Sequence, residues 1–328
     1  MRPPADAEQL LLRLEWTVIR RLDGLLHGDY RCFFHGPGLD LADLHEYQYQ
    51  DDVRHIDWNV TARMQTPYVR EFNEDRDLTT WFLLDLSASL DFGSRVKKQA
   101  VSAEFVGVLA RLMTRHGNRV GALCYGSAVD TVIPARSGRR HVLHLLHTLL
   151  ERPVTQPVPT QLASLLTQAA QIMARRSLVF VVSDFISTPG WEQVLARLAM
   201  RHEVIAVRLF DPLEQELPDL GMVLMQDAES GEQLFVDTHD KGFRRRFAEL
   251  AAARELSLRE SFANAGVDAL ELSTDSDLFD ALLRFADLRQ LRSRAASGGG
   301  LPKHIEARER GMSGTRAAEN QRAEGRRS

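Results

Sequence analysis

The chain has almost no cysteine, few aromatic side chains and no excess of either charge. Of its 328 residues only Cys32 and Cys124 are cysteines, and nothing around them suggests a disulfide framework, a zinc site or a redox pair. Both are expected to be ordinary reduced thiols. Aromatics make up 7%, and 41 basic against 45 acidic side chains leave a formal net charge of −4. Spread along the chain, that balance gives no basic face for nucleic acid or an anionic membrane surface. Long apolar runs are missing too. The longest uncharged stretch, 153–174, contains three prolines and several glutamines, which disqualifies it as a membrane span. The N-terminal MRPPADAEQLLLRLEWTVIRRL has Glu8 just before its apolar part and Arg13 and Glu15 within it, unlike a signal peptide. The expectation is a cytoplasmic protein with no membrane insertion.

What is present is a globular composition, 44% apolar and 26% charged, ample for a large core. Residues 6–22 place Leu10, Leu11, Leu14, Val18 and Leu22 at helical spacing. In 24–77, dense in Gly, Asp, Tyr and His, no period persists, and the segment reads as a long lead-in. From residue 78 the pattern turns regular. Buried strands are expected at LTTWFLLDL and SLVFVVSDF and further strands at RVGALCYG, EVIAVRLF (203–210) and 267–272, with helices at 96–116, 139–151, 161–175, 190–201 and 241–264. AVDTVIP adds a strand after the turn at Gly126, and 222–226 with 233–236 reads as a hairpin.

Continuous apolar strands alternating with helices predict an α/β fold, a doubly wound, mostly parallel sheet with helices on both faces. The organisation that follows is an N-terminal helix and lead-in over 1–77 packed on the main domain, the domain itself over 78–272, and a C-terminal helix over 273–295. The aromatic-free tail, 296–328, is expected to be disordered.

The stretch WFLLDLSASLDFGS, 81–94, ends an apolar run in Asp85 and sets hydroxyls two and four residues later, at Ser87 and Ser89. In an open α/β sheet, ligands sit outside the carboxyl ends of the strands where the strand order reverses. Asp184 ends a second apolar strand, and Thr160 opens a helix between the two in chain order. A hard dication such as Mg²⁺ takes oxygen ligands and keeps several waters, so one or two carboxylates with neutral hydroxyls suit it. Alone, Asp-x-Ser-x-Ser serves equally well as a turn and helix cap.

Together, Asp85-x-Ser87-x-Ser89, the later threonine and the strand-terminal aspartate resemble the metal-ion-dependent adhesion site of von Willebrand factor A domains, a Rossmann-like fold. The upstream YQDDVRHIDWNVTARMQTPYVREFNEDRD resembles the signature of the bacterial proteins grouped as domain of unknown function 58, matching at Asp51, Asp52, Arg54, Ile56, Asp57, Trp58, Ala62 and Arg63, with Gln50 in place of the usual Gly. The Ser183-Asp184-Phe185 step fits the same family, and the resemblance runs from about residue 24 to 272.

It implies a binding module without catalysis, in which Ser87, Ser89 and Thr160 contact Mg²⁺, or another dication such as Mn²⁺ or Ca²⁺, while Asp85 and Asp184 hold those groups and their waters. One position then remains for an acidic side chain of a protein partner. Members are commonly encoded beside MoxR-type AAA+ ATPases, so such an ATPase, acting with this chain on a client in chaperone-like assembly, is the implied partner. Asp52, Arg54, Asp57, Trp58 and Arg63 are expected to form a structural ion-pair network rather than a catalytic one.

Two rivals are a Mg²⁺-dependent hydrolase or phosphotransferase using Asp85 as nucleophile and a chelatase-like metal-insertion subunit. The first lacks a phosphate cradle. The motifs G-x-S-x-G, G-x-x-x-x-G-K-[ST], H-E-x-x-H, G-x-G-x-x-G and paired C-x-x-C are all absent, so this chain is not expected to hydrolyse ATP itself. His141, His144 and His147 fan out around a helix instead of converging on an ion, and are expected to flank a Leu143, Leu146, Leu150 core stripe. The acidic stretch of Asp211, Glu214, Glu216 and Asp219 with Asp227 and Glu229 reads as a solvated loop.

Overall fold

A computed structural model describes residues 7–22, 43–47, 58–71, 79–152 and 157–296. The chain divides into two compact units, one of residues 1–29 with 72–283 and the other of 30–71 with 284–328. The larger begins with helix α1 (Ala7–Leu14), continued by a wider helical turn over Glu15–Ile19. The five apolar residues picked out by spacing, Leu10 to Leu22, are all buried.

In the smaller unit, strands β1 (Asp43–Glu46) and β2 (Tyr68–Glu71) pair antiparallel, with helix α2 (Trp58–Met64) between them in sequence. The lead-in therefore carries structure that its sequence did not announce, because elements of four to seven residues are too short to establish a period. Asp52, Arg54 and Asp57 lie outside the described residues, as does the tail from 297. Trp58 is 70% exposed and Arg63 is exposed, so neither supplies a buried half of the expected network.

The larger unit's sheet is built from β3 (Thr79–Asp85), β4 (Arg119–Tyr125), β5 (Val129–Arg136), β6 (Leu178–Ser183) and β7 (Glu203–Phe210). A separate hairpin, β8 (Met222–Gln226) with β9 (Gln233–Asp237), precedes the last sheet strand, β10 (Asp268–Ser273). The order is β10-β7-β6-β3-β4-β5, all neighbours parallel except the β4–β5 edge pair. From β3 the chain winds outward through β4 and β5, then crosses back to β6 and winds the other way. This is the doubly wound, von Willebrand factor A-like arrangement expected from the sequence, and its switch point falls between β3 and β6.

Helices α3 (Lys98–Arg115), α4 (Arg139–Leu150), α5 (Leu162–Ile172), α6 (Trp191–Arg201) and α7 (Lys241–Ala265) link the strands, and α8 (Leu278–Ala296) follows β10. Side chains alternate across β3. Phe82 stacks on Phe180 with ring centroids 5.4 Å apart, and Phe105 of α3 meets both edge-on. Trp81 and Leu83 point the other way, into a cluster with Leu165, Leu195 and Phe262 from α5, α6 and α7. Each such buried side chain contributes about 1.5–3 kcal/mol.

Gly107 of α3 lets α1 approach closely. A Cβ there would lie 3.0 Å from Leu14 and 3.3 Å from Leu146. Gly117, at φ +81, ends α3. The buried stripe of α4 is Val142, Leu145, Leu146 and Leu149, which corrects the expected Leu143, Leu146, Leu150: in a run of leucines, either face looks apolar until the neighbouring helices α3 and α1 choose one. His144 and His147 are exposed, His147 pairs with Glu151, and His141 meets the Val120 carbonyl, so the three rings are a polar flank. Cys124 is buried in β4, where burial pushes its thiol up to about 11 and leaves it unreactive. Among the described residues no helix is long and apolar enough to cross a membrane.

Candidate metal centre

Asp85 is the last residue of β3 and Asp184 follows the last residue of β6, so the parallel β3–β6 register brings both to the carboxyl edge at the switch point. Ser183 Oγ donates to Asp85 Oδ2 at 2.7 Å and tightens that pairing. The Ser87 amide donates to Asp85 Oδ1 at 3.0 Å, folding the following loop back over the strand end. The loop then enters a short helical turn, Ala88–Asp91, and brings Ser87 Oγ within 3.1 Å of Ser89 Oγ.

Thr160 lies two residues before α5, its backbone fixed from the loop after Asp184. Its carbonyl accepts from the Thr188 amide at 2.9 Å and from Ser187 Oγ at 2.8 Å, and its amide donates to Glu229 Oε1 in the β8–β9 turn at 3.2 Å. Thr160 is 1% exposed, yet its Oγ1 finds no hydrogen-bond partner among the described residues. A buried hydroxyl left unpaired costs about 1–3 kcal/mol.

The turn that aims Asp184 is unusual. Its Oδ1 accepts from the Ile186 amide at 3.0 Å, and Phe185 between them adopts φ +58, a region bulky residues avoid. Ring contacts to Trp191 and Phe262, with centroids at 5.3 and 4.8 Å, hold it there. Asp184 also borders a cleft of about 280 Å³ walled by Trp191, Arg208, Arg254 and Glu255.

One member of the site was not found from the sequence. Lys98, the first residue of α3, is fully buried, and its ammonium donates to Asp184 Oδ2 and to Glu214 Oε1, both at 2.7 Å. Burial would lower its pKa, but Asp184 and Glu214 outweigh that and hold it above its ordinary value. A cation in the first turn opposes the helix dipole. That mismatch was the one available signal that Lys98 has acidic partners.

The reading of 211–219 as a solvated loop is corrected at its start. Asp211 is fully buried and accepts from the Ser94 amide at 2.7 Å, Ser94 Oγ at 2.9 Å, Thr274 Oγ1 at 2.6 Å and the Leu213 amide at 2.9 Å. Its own amide donates to Glu214 Oε2 at 3.0 Å, so Asp211 steadies the carboxylate that Lys98 needs. Burial pushes its carboxyl up, and these hydrogen bonds more than reverse the push, holding its pKa below the ordinary value. An Asp with a depressed folded pKa stabilises above its unfolded pKa and loses that contribution as pH falls through the folded value. Asp211→Asn should therefore cost about 2–3 kcal/mol in urea unfolding at pH 7, with the gap to the unaltered protein closing as the pH falls below 4.

Electrostatically the centre is under-compensated. Burial pushes the Asp85 carboxyl up from an ordinary 3.8 to about 6, the neighbouring Asp184 carboxylate adds to this, and hydrogen bonds from Ser183 and Ser87 only partly offset it. The Lys98 ammonium is shared between two carboxylates, Asp184 and Glu214, while Asp85 lies against Asp184. Among the described residues no group of three or more His, Cys, Asp or Glu side chains is placed to hold a metal ion. Any ion here would rely on hydroxyls. The oxygen-only donor set of Ser87, Ser89 and Thr160, with the orphaned Thr160 Oγ1 and excess negative charge behind it, fits a hard dication.

Residues 43–257 match the family described as protein of unknown function DUF58, a slightly shorter span than the 24 to 272 resemblance read from the sequence. An uncharacterized protein of Mycobacterium bovis, Mb1516, is 38% identical over 282 residues, covering 85% of this chain and 89% of its own, and Rv1480 of Mycobacterium tuberculosis matches equally. Among solved structures, the conserved hypothetical protein BatB of Bacteroides thetaiotaomicron aligns with TM-score 0.41 and 12% identity, covering 65% of this chain and 98% of its own. The SpRpn10 VWA domain aligns at 0.35 and 13%, covering 64% and 95%. The fold assignment stands on strand order and register, not on those two likenesses. By the family match and the mycobacterial identity, the chain belongs to the DUF58 family.

Proposed function

We propose that this domain is a protein-binding module that takes up a divalent cation, Mg²⁺ first and Mn²⁺ or Ca²⁺ as alternatives, and uses it to engage an acidic side chain of a partner. Ser87, Ser89 and Thr160 would hold the ion directly or through water, with Asp85 and Asp184 orienting the hydroxyls and waters behind them. The ion would supply a Lewis-acidic position open to a carboxylate. The observation that carries this reading is excess negative charge at the strand ends: Lys98 is shared between Asp184 and Glu214, and buried Asp85 lies beside Asp184, whose charge pushes its carboxyl up. The orphaned Thr160 hydroxyl supports it.

Asp85 is fully buried and hydrogen-bonded at both oxygens, which suits a supporting group and not a nucleophile. No observation favours the hydrolase reading, and a chelatase-like role would use the same site. The partner we assign, on family resemblance, is a MoxR-type AAA+ ATPase with a client protein. Pull-down of that ATPase from the same genome tests it. Retention should require Mg²⁺ and disappear with EDTA or with Ser87→Ala; retention that ignores both would sink the reading.

A further inference from the structure

We propose that Lys98 is a tethered cation that sets the charge of the metal centre, and thereby weakens its hold on the ion. This rests on the metal reading above. Lys98 is the first residue of α3, and the helix start fixes its position. Its ammonium is clamped between Asp184 and Glu214, Asp211 holds Glu214 through its amide, and Ser94 and Thr274 hold Asp211. Such a chain of contacts fixes one charge against the site instead of leaving a surface lysine free to swing away.

The consequence is electrostatic. An incoming dication meets a site from which one negative charge has already been cancelled at low dielectric, where a single charge a few ångströms away shifts affinity by tenfold or more. Once loaded, the centre keeps the charge of Lys98 on Asp184 and Glu214, so a partner's carboxylate meets less repulsion than it would without the lysine. Without Lys98 the loaded site would be one charge more negative, holding the metal tighter and the partner less well. Lys98 is thus a positioning and charge-setting residue and not a ligand.

The test is Mn²⁺ titration of the full chain by calorimetry, comparing Lys98→Met and Lys98→Arg with the unaltered protein. Expected is at least tenfold tighter Mn²⁺ binding in Lys98→Met, near-unaltered affinity in Lys98→Arg, and loss of the gain when Asp85→Asn is added. Equal or weaker binding by folded Lys98→Met, or a gain that survives Asp85→Asn, overturns the proposal while leaving the metal reading intact. Binding by Lys98→Met alone, with none by the unaltered chain, supports the proposal in its strongest form and defeats the metal reading for the natural protein. No binding by either defeats both. Should Lys98→Met fail to fold, Glu214→Gln decides: freeing the ammonium from one carboxylate should weaken Mn²⁺ binding several-fold, and unchanged or tighter binding overturns the proposal.

Discussion

Asp85→Asn is expected to raise the melting temperature of the metal-free protein while abolishing its response to Mg²⁺. A fully buried carboxyl held at about 6 instead of 3.8 costs on the order of 3 kcal/mol at neutral pH. The amide carries no charge to desolvate and keeps an oxygen to accept from Ser183 or the Ser87 amide, so part of that cost returns as stability. For a domain of this size each kcal/mol is worth about 2–4 °C, and a rise of a few degrees is expected. Differential scanning fluorimetry with and without Mg²⁺ reads both effects; a fall in the metal-free melting temperature with an intact Mg²⁺ response contradicts the site.

The same shift gives a pH signature. Because the folded pKa of Asp85 lies above the unfolded one, its contribution is intact below about pH 4 and is lost as pH rises to about 6. An ion favours the ionised carboxylate, so stabilisation by Mg²⁺ should grow between pH 5 and 7.5. A gain that is flat over that range counts against Asp85 as part of the site.

The second large effect concerns Lys98. Breaking a buried ion pair by removing one partner strands the other, at a cost of about 3–5 kcal/mol, and here Lys98→Met strands two carboxylates, Asp184 and Glu214. The side chains of Lys98 and Asp184 are 0% and 1% exposed, so little solvent screening softens the loss. Adding Asp184→Asn should recover part of it, since the amide tolerates the apolar neighbour. Urea unfolding of both variants, metal-free at pH 7.5, measures the pair. Additive losses would mean that the two side chains do not interact as their 2.7 Å contact implies.

What could be read from the sequence follows physical lines. Strands β3, β6 and β7 are buried on both faces and so appear as unbroken apolar runs, which fixed the sheet and placed Asp85 and Asp184 at its edge. Ser87 and Ser89 follow from local spacing to Asp85. Thr160 was placed only by chain order and resemblance, and its unpaired buried hydroxyl is what singles it out.

Lys98 stayed hidden because its partners lie 86 and 116 residues away, and no local pattern records contacts at that range. Asp211 was misjudged for the same reason: its donors Ser94 and Thr274 are 117 and 63 residues distant. The misplaced stripe on α4 shows the complementary limit, since a helix rich in leucine takes its buried face from the elements it packs on, here α3 and α1.

The central claim is that Ser87, Ser89 and Thr160 share one dication above Asp85 and Asp184. Crystals grown with Mn²⁺ and measured at its absorption edge test it most directly. The account predicts a single anomalous peak at the carboxyl edge of β3 and β6, within about 2.0–2.4 Å of one or more of the three hydroxyl oxygens, and none in Asp85→Asn crystals. A peak elsewhere, or no peak in well-ordered crystals at millimolar Mn²⁺, would contradict it.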